Sequence, residues 1–372
     1  VDTHPTRAVI DLGAFRHNMS CVRSYCGPQV KIMAVVKANG YGHGAVHISQ
    51  EAVRAGAEYL AVTRVEEALE LRRHGILHPL LVFELARDSS IGEALAANVE
   101  LTVSTLEGAE TISRIAAGLG ITAKVHVKID TGMVRLGFDF HTAAASIAAL
   151  VQLPSLALKS VYSHLATSDD PDQTFARDQL DRYNGVVKEL AALGISVPLR
   201  HIANSGAILT LPEAHLDMVR PGILLYGYTP ARHLKERFPV TPVMSLQSVV
   251  TFLRTVEPGT SISYGRNYVT TQRTTIATVP IGYADGYSRL LTNRTDALVR
   301  GRRVPVVGSI CMDQVMLDLG EKTDCTVGDL VTFIGRDGKE SISAWDLAEI
   351  IGTIPYEITC LLTGRVPRVD RE

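Results

Sequence analysis

A single lysine, Lys37, stands where an apolar strand gives way to a glycine-rich turn in AVVKANGYGHG (34–44), ahead of Gly40, Gly42 and Gly44. A strand-end lysine is ordinarily a solvated charge. Withdrawn from water, it becomes an amine able to condense with a carbonyl. Other polar residues occupy comparable positions. His126, Lys128 and Asp130 alternate with Val125, Val127 and Ile129, so they share one face of a strand. His164, Asn204–Ser205 and Arg220–Pro221–Gly222 each close a further apolar run. Alone, His164 reads as a satisfied core histidine and Arg220 as a surface ion-pair partner. Brought to one rim, they read as a site.

The elements that must position them are legible. From residue 30 to about 226, β-branched runs alternate with helical stretches. The runs are 31–36, 59–63, 79–83, 100–104, 123–130, 158–164, 199–204 and 216–220. The helical stretches end at glycine: Ile48, Ala52 and Ala55 precede Gly56, a second runs from Val65 to Gly75, and a third leads to Gly194. Alternation implies parallel strands joined by right-handed crossovers. Eight such units over about 200 residues match an α/β fold of the (β/α)8, TIM-barrel type. An open doubly wound sheet is the competitor, although no G-x-G-x-x-G follows the first strand. After about residue 235 the chain turns to strands separated by turn residues, with one late helix near SAWDLAEII. The expected division is a barrel over 13–235 and a mostly-β C-terminal domain over 236–372. A strand within 1–12 pairs with the latter, and 229–242 forms the linker.

In such barrels catalytic groups come from the C-terminal ends of different strands, and phosphate sites form after strands seven and eight. Ser205 with Gly206, and Gly222 with Ile223, supply a hydroxyl and backbone N–H groups there. A lysine opposite a phosphate site, with an arginine beside it, suits pyridoxal phosphate: the lysine bonds the cofactor, and the group at the ring nitrogen sets its electron demand. A cofactor-free Schiff-base aldolase is the rival reading.

Bulk properties narrow the class. The 372 residues exceed what one compact core usually holds. With 46% hydrophobic and 20% charged residues, the chain reads as an ordinary globular protein. A net charge of −2 and no Lys/Arg cluster argue against a nucleic-acid or membrane partner. VDTHPTRAVIDLGAF has no signal-like apolar core, and no stretch is long enough to span a bilayer. Five cysteines without disulfide-like spacing fit free thiols, so the cytoplasm is expected. No metal site is expected: Cys21 and Cys26 lack ligand companions, and the acidic run 168–172 reads as a helix cap.

Taken together, the motifs resemble the alanine racemase family. The likeness runs from AVIDL to RVPR and includes AVVKANGYGHG, KIDTGMVRLG, YSHLATSD, ANSGA, MVRPGILLYG, ISYGRNY, PIGYADGY, ICMDQ and RVPR in order. It implies a barrel binding pyridoxal 5'-phosphate followed by a β-domain, and interconversion of L- and D-alanine to supply peptidoglycan. A serine or broad-specificity racemase is the alternative. By the resemblance, Lys37 bonds the cofactor, and Tyr41, Asn204, Ser205, Gly222, Ile223 and Tyr356 hold it, most of them at its phosphate. Arg220 faces the ring nitrogen, and Arg135 the phenolic oxygen. A permanently cationic arginine cannot support a protonated ring, so the cofactor becomes a weaker electron sink.

Racemisation needs an acid and a base on opposite faces of one carbon. The resemblance assigns these to Lys37 and to Tyr264 of the partner subunit in a head-to-tail homodimer. Arg135, Met312 and Asp313 bind substrate. A phenol titrates near ~10, so tuning through His164 and Arg220 is implied. Lys128, crowded by Arg135, is expected as a carbamate, with an ion pair to Asp130 the alternative. Two departures stand out. Gly40 replaces a usual alanine, which makes the turn looser, and Ser309 replaces an arginine that pairs with an acid matched by Asp169, so a less gated or differently charged substrate corridor is expected. A related decarboxylase is disfavoured because its cysteine-centred motif is absent. A small non-catalytic cofactor carrier is disfavoured because it would lack the β-domain.

Overall fold

The structure, a computed structural model, describes residues 4–371; residues 1–3 and 372, expected in the second domain, lie outside the described residues. Two compact units are present. One comprises Phe15–Gly40 and Ala45–Thr241, the other the chain up to Ala14, Tyr41–Gly44 and everything from Pro242 onward.

The first unit is a parallel barrel of eight strands: β1 (Lys31–Val35), β2 (Tyr59–Val62), β3 (Leu80–Val82), β4 (Glu100–Val103), β5 (Ala123–Asp130), β6 (Leu156–Tyr162), β7 (Arg200–His201) and β8 (Met218–Val219). Each arises from one of the apolar runs read in the sequence. They read apolar because both faces are covered: Ile32, Met33, Leu60, Ala61, Leu80 and Leu81 are all fully buried. The order is β8-β1-β2-β3-β4-β5-β6-β7, all parallel. Between β7 and β8 the ladder gives way to a seam. There Asp217 donates its N–H to Arg200 O (3.2 Å) and Arg220 to Ala203 O (2.9 Å). The Arg200 guanidinium grips the Asp217 carboxylate with bonds of 2.8 and 2.9 Å.

Helices return between strands and stop where the sequence supplies glycine. Gly56, Gly75 and Gly194 have φ of 89°, 77° and 75°, the left-handed conformation that ends a helix. The acidic run 168–172 serves the helix Thr174–Ala192: Asp172 Oδ1 accepts the Thr174 N–H at 2.9 Å.

In the second unit nine strands follow one another in a sheet, with a short tenth (Glu340–Ile342) pairing beside it. Arg7–Asp11 lies antiparallel to Met244–Val249 and parallel to Arg368–Arg371. The run 243–253, readable as one strand, forms two. At Val250 and Thr251 the chain changes partner, with Val250 N–H going to Asp329 O and Thr251 N–H to Thr278 O. The stretch 229–242, expected as a linker, contains a 3-10 turn over Arg232–Arg237. The late helix is Ala344–Ile351, started by a reciprocal cap between Ser343 and Asp346.

Candidate active site

Lys37 lies just beyond β1 at the barrel rim and opens onto a left-handed turn. Ala38, Asn39, Gly40 and Tyr41 have φ of 52°, 54°, 61° and 51°. Such a conformation costs roughly 1–2 kcal/mol for each non-glycine residue, so something must hold it. Ala38 donates its N–H to Glu67 Oε1 (2.6 Å), and Asn39 Oδ1 accepts the Ala45 N–H (2.9 Å). The other Glu67 oxygen takes the N–H groups of Thr63 and Arg64 (2.8 and 3.0 Å). Glu67 therefore ties the turn behind Lys37 to the loop after β2, and nothing in its local sequence announces it. Gly40 also acquires a reason. At φ +61° glycine relieves the strain that alanine would carry, and an added Cβ would only reach 3.4 Å from Ala45.

The end of β8 lies beside that of β1, where Val35 donates its N–H to Pro221 O at 3.1 Å. Arg220 turns into the barrel and is 3% exposed. It donates to His201 Nδ1 (3.0 Å), Ser163 O (2.7 Å), His164 Nδ1 (3.2 Å) and Ile202 O (3.0 Å). Burial pulls its pKa down to about 10, leaving it cationic at neutral pH. From it a buried chain of hydrogen bonds crosses the barrel: His201 Nε2 to Ser160 Oγ (2.8 Å), Ser160 Oγ to His126 Nδ1 (2.6 Å), His126 Nε2 to Glu100 Oε2 (2.6 Å). His201 accepts a hydrogen bond from Arg220 at Nδ1, so its own hydrogen sits on Nε2. Each later donor then points the same way, from the cation to the carboxylate. His126, part of the polar strand face, belongs to this chain; Glu100 and Ser160 are ordinary strand polar residues in the sequence, and only their distant partners give them this role.

His164 is held neutral. Burial first, then repulsion from Arg220, Lys128, Arg135 and Lys37, lowers its pKa well below 6.5. Its Nδ1 accepts from Arg220, so its proton is on Nε2 and available to donate. Lys128 sits inside the barrel above the Tyr162 ring (5.6 Å), on the strand face it shares with His126. Burial, followed by the charges of Arg135 and Arg220, brings it down to about 8. Arg135 itself is exposed, in the loop after β5. Asp130 is occupied in that loop, accepting the N–H groups of Gly132 (2.9 Å) and Val134 (3.1 Å).

The end of β7 and the turn after β8 meet at Ser205, whose Oγ accepts the Gly222 N–H at 3.0 Å. Asn204 caps the helix Ser205–Thr210 through Ala207 N–H (3.0 Å) and receives Ser168 Oγ (2.6 Å). It shapes the cup; its side-chain oxygen is already engaged. A Cβ on Gly206 would lie 2.5 Å from Ser168 Oγ, so only glycine fits there. The helix starts after Asn204 and Gly222 present backbone donors whose first turn lacks intrahelical acceptors. A hydroxyl, backbone amides and a rim carrying Lys37, Lys128, Arg135 and Arg220 form a donor set suited to an anionic, phosphorylated ring such as pyridoxal phosphate.

The remaining expected residues lie in the second unit. Tyr41 and Tyr356 bring their rings to 6.0 Å between centroids, and burial pushes the Tyr41 phenol up. The turn around them is tight: a Cβ on Gly42 would fall 2.0 Å from Thr359 O, and Arg368 Nε donates to Gly42 O at 2.9 Å. Tyr264 is 72% exposed and Met312 is exposed too; exposed Asp313 accepts from Arg365 at 2.7 Å. Ser309 is buried.

The family profile described as "Alanine racemase, N-terminal domain" matches residues 10–230, and "Alanine racemase, C-terminal domain" matches 243–370. "Alanine racemase 2" of Caldanaerobacter subterraneus subsp. tengcongensis is 44% identical over 369 residues, covering 99% of this chain and 95% of its own length. The solved alanine racemase of Clostridium difficile 630 superposes with a TM-score of 0.95 at 38% identity, over 100% of this chain and 97% of that one. The alanine racemase of Bacillus anthracis, solved with bound L-Ala-P, gives a TM-score of 0.94 at 36% identity, over 100% and 96%.

Two predictions come from this geometry. Gly40→Ala should lower the free energy of unfolding in urea by about 1 kcal/mol, while Gly42→Ala should yield little folded protein. Equal, mild effects would contradict the backbone assignment. His164 and His201 are both neutral when folded, their pKa values lowered by burial and by Arg220. The unfolded chain binds more protons below pH 6.5, so stability present above that pH is lost on acidification, by up to about 1.4 kcal/mol per pH unit per ring. Urea midpoints at pH 7.5 and 5.5 should show this, and His164→Gln should remove its share. An unchanged acid loss in that variant would overturn the His164 assignment.

Proposed function

The chain belongs to the alanine racemase family, and from that premise we propose that it interconverts L- and D-alanine with pyridoxal 5'-phosphate, supplying D-alanine for peptidoglycan. One observation carries the reading to this chain's own residues: a buried, cationic Arg220 beside the strand end of Lys37, next to the Ser205–Gly222 cup.

Lys37 would hold the cofactor covalently. Ser205, Gly222, Ile223, Tyr41 and Tyr356 would hold its phosphate, with Asn204 shaping the cup. When bound, the cofactor withdraws electrons from the substrate's α-carbon and acidifies its hydrogen. Arg220 has no proton to give to a ring nitrogen at neutral pH, and its other bonds fix its plane, which limits that withdrawal. Lys37 Nζ and Tyr264 Oη move a proton at the α-carbon from opposite faces. His164, with its hydrogen on Nε2, offers a donor that favours the phenolate form of a tyrosine it meets. Tyr264, Met312 and Asp313 lie exposed in the single chain, which supports their delivery to the partner subunit's site in a head-to-tail homodimer. The substrate is a small amino acid, its carboxylate drawn to Arg135 and its side chain limited by Met312.

Lys128 is proposed to carry a carbamate. The depression from 10.5 to about 8 leaves on the order of a hundredfold more neutral amine at pH 7. That amine adds carbon dioxide and releases one proton, and the resulting anion relieves Arg135 and Arg220. Among the described residues no helix is long and apolar enough to cross a membrane, and no group of three His, Cys, Asp or Glu is placed to hold a metal. We place the enzyme in the cytoplasm.

Incubation with L-alanine should yield D-alanine, and with L-serine little or no D-serine. Equal turnover would favour a broad-specificity racemase, and no D-alanine would sink the proposal. Lys37→Ala should lose activity and the visible absorption of covalently held cofactor. Carbon-13 NMR after exposure to labelled bicarbonate should show a carbamate signal absent from Lys128→Ala; no signal in the parent protein would refute the modification.

A further inference from the structure

Tyr264 sits on a turn that should be costly to form. Ser263 before it has φ 63° and ψ −173°, a region normally left to glycine, and Gly265 and Arg266 after it have φ of 74° and 52°. An exposed phenol on a mobile turn makes a poor base. The turn is instead fastened from a residue more than forty positions away. Ser309 donates its hydroxyl to Tyr264 O (2.9 Å) and accepts Asn267 Nδ2–H (2.9 Å). Ser263 Oγ in turn donates to Ser309 O (2.6 Å), which secures the strained residue. Asn293 backs both sides, donating to Asn267 O (3.1 Å) and accepting the Gly308 N–H (2.6 Å). A Cβ on Gly308 would fall 2.8 Å from Ile262 O and from Ser263 Cβ, so the approach needs glycine.

Buried Ser309 thus closes a small ring of hydrogen bonds around one backbone carbonyl. Serine here has a use apart from the expected change in the substrate corridor. We propose that Ser309 and Asn267 are positioning residues for Tyr264, setting the angle at which its phenol meets the α-carbon. The inference rests on Tyr264 being one of the two bases.

The test follows the loss of the α-hydrogen of each alanine enantiomer separately in deuterium oxide, by proton NMR, for the parent holoenzyme and for Tyr264→Phe, Ser309→Ala and Asn267→Ala. Tyr264→Phe should stop exchange from one enantiomer only, which identifies its face. Ser309→Ala and Asn267→Ala should slow exchange from that same enantiomer by threefold or more and leave the other within twofold. Hydrogen–deuterium exchange of cofactor-free protein should show the amides of 263–267 opening about tenfold faster in both variants. Asn267 is exposed, so its variant folds even if Ser309→Ala does not. A symmetric slowing, or none, with Tyr264→Phe asymmetric would overturn the positioning role. Unchanged exchange from both enantiomers in Tyr264→Phe would instead overturn the two-base reading on which it rests.

Discussion

A guanidinium buried inside a barrel must be satisfied on every side, and much of this barrel is arranged around that requirement. Arg220 cannot shed its proton at neutral pH, so its neighbours must accept hydrogen bonds without being charged themselves. Two carbonyls and two neutral imidazoles meet that need. The counter-charge is placed at a distance, on Glu100, and polarisation along His201, Ser160 and His126 links the two. A carboxylate directly beside Arg220 would have neutralised the rim. Setting it four hydrogen bonds away leaves the upper end of the barrel positive.

The positive rim has consequences for everything set into it. Lys128 is driven toward its neutral form and His164 is prevented from charging. Burial is the first cause of these shifts, and repulsion from the neighbouring cations adds to it. The strained turns serve the same end. The left-handed stretch after Lys37 and the turn around Tyr264 each adopt backbone that the chain would avoid, and each is held by hydrogen bonds from remote residues, Glu67 in one case and Ser309 in the other. Strain at these two turns is tolerated because the surrounding scaffold fixes it.

Much of this was legible in the residues. Parallel strands covered on both faces become continuous apolar runs, so the eight barrel strands stood out, and the polar residues that closed those runs fell on the rim. The helix stops at Gly56, Gly75 and Gly194 were readable because one backbone conformation demands one residue type. What was hidden depends on partners distant in sequence. Glu67 looks like any helix-start acid, Glu100 and Ser160 like strand polar residues, and Ser309 like a loss of charge. Their meaning lies in hydrogen bonds spanning from 26 to 45 residues. The break at Val250–Thr251 is hidden for a similar reason: only the change of partner strand reveals it. Gly40 reads as loosening a turn, and is explained by a φ of 61° that no composition shows.

Tyr41–Gly44 group with the β-domain although residues on both sides of them build the barrel. The Gly42 backbone is packed against Thr359 so closely that not even a methyl group fits. The two units therefore cannot be separated by a single cut between them. A barrel made alone would carry, next to Lys37, a four-residue tongue stripped of its packing. In a gene, this is a domain boundary crossed by a stitch: neither half can be exchanged for a foreign one without rewriting the loop that comes after Lys37.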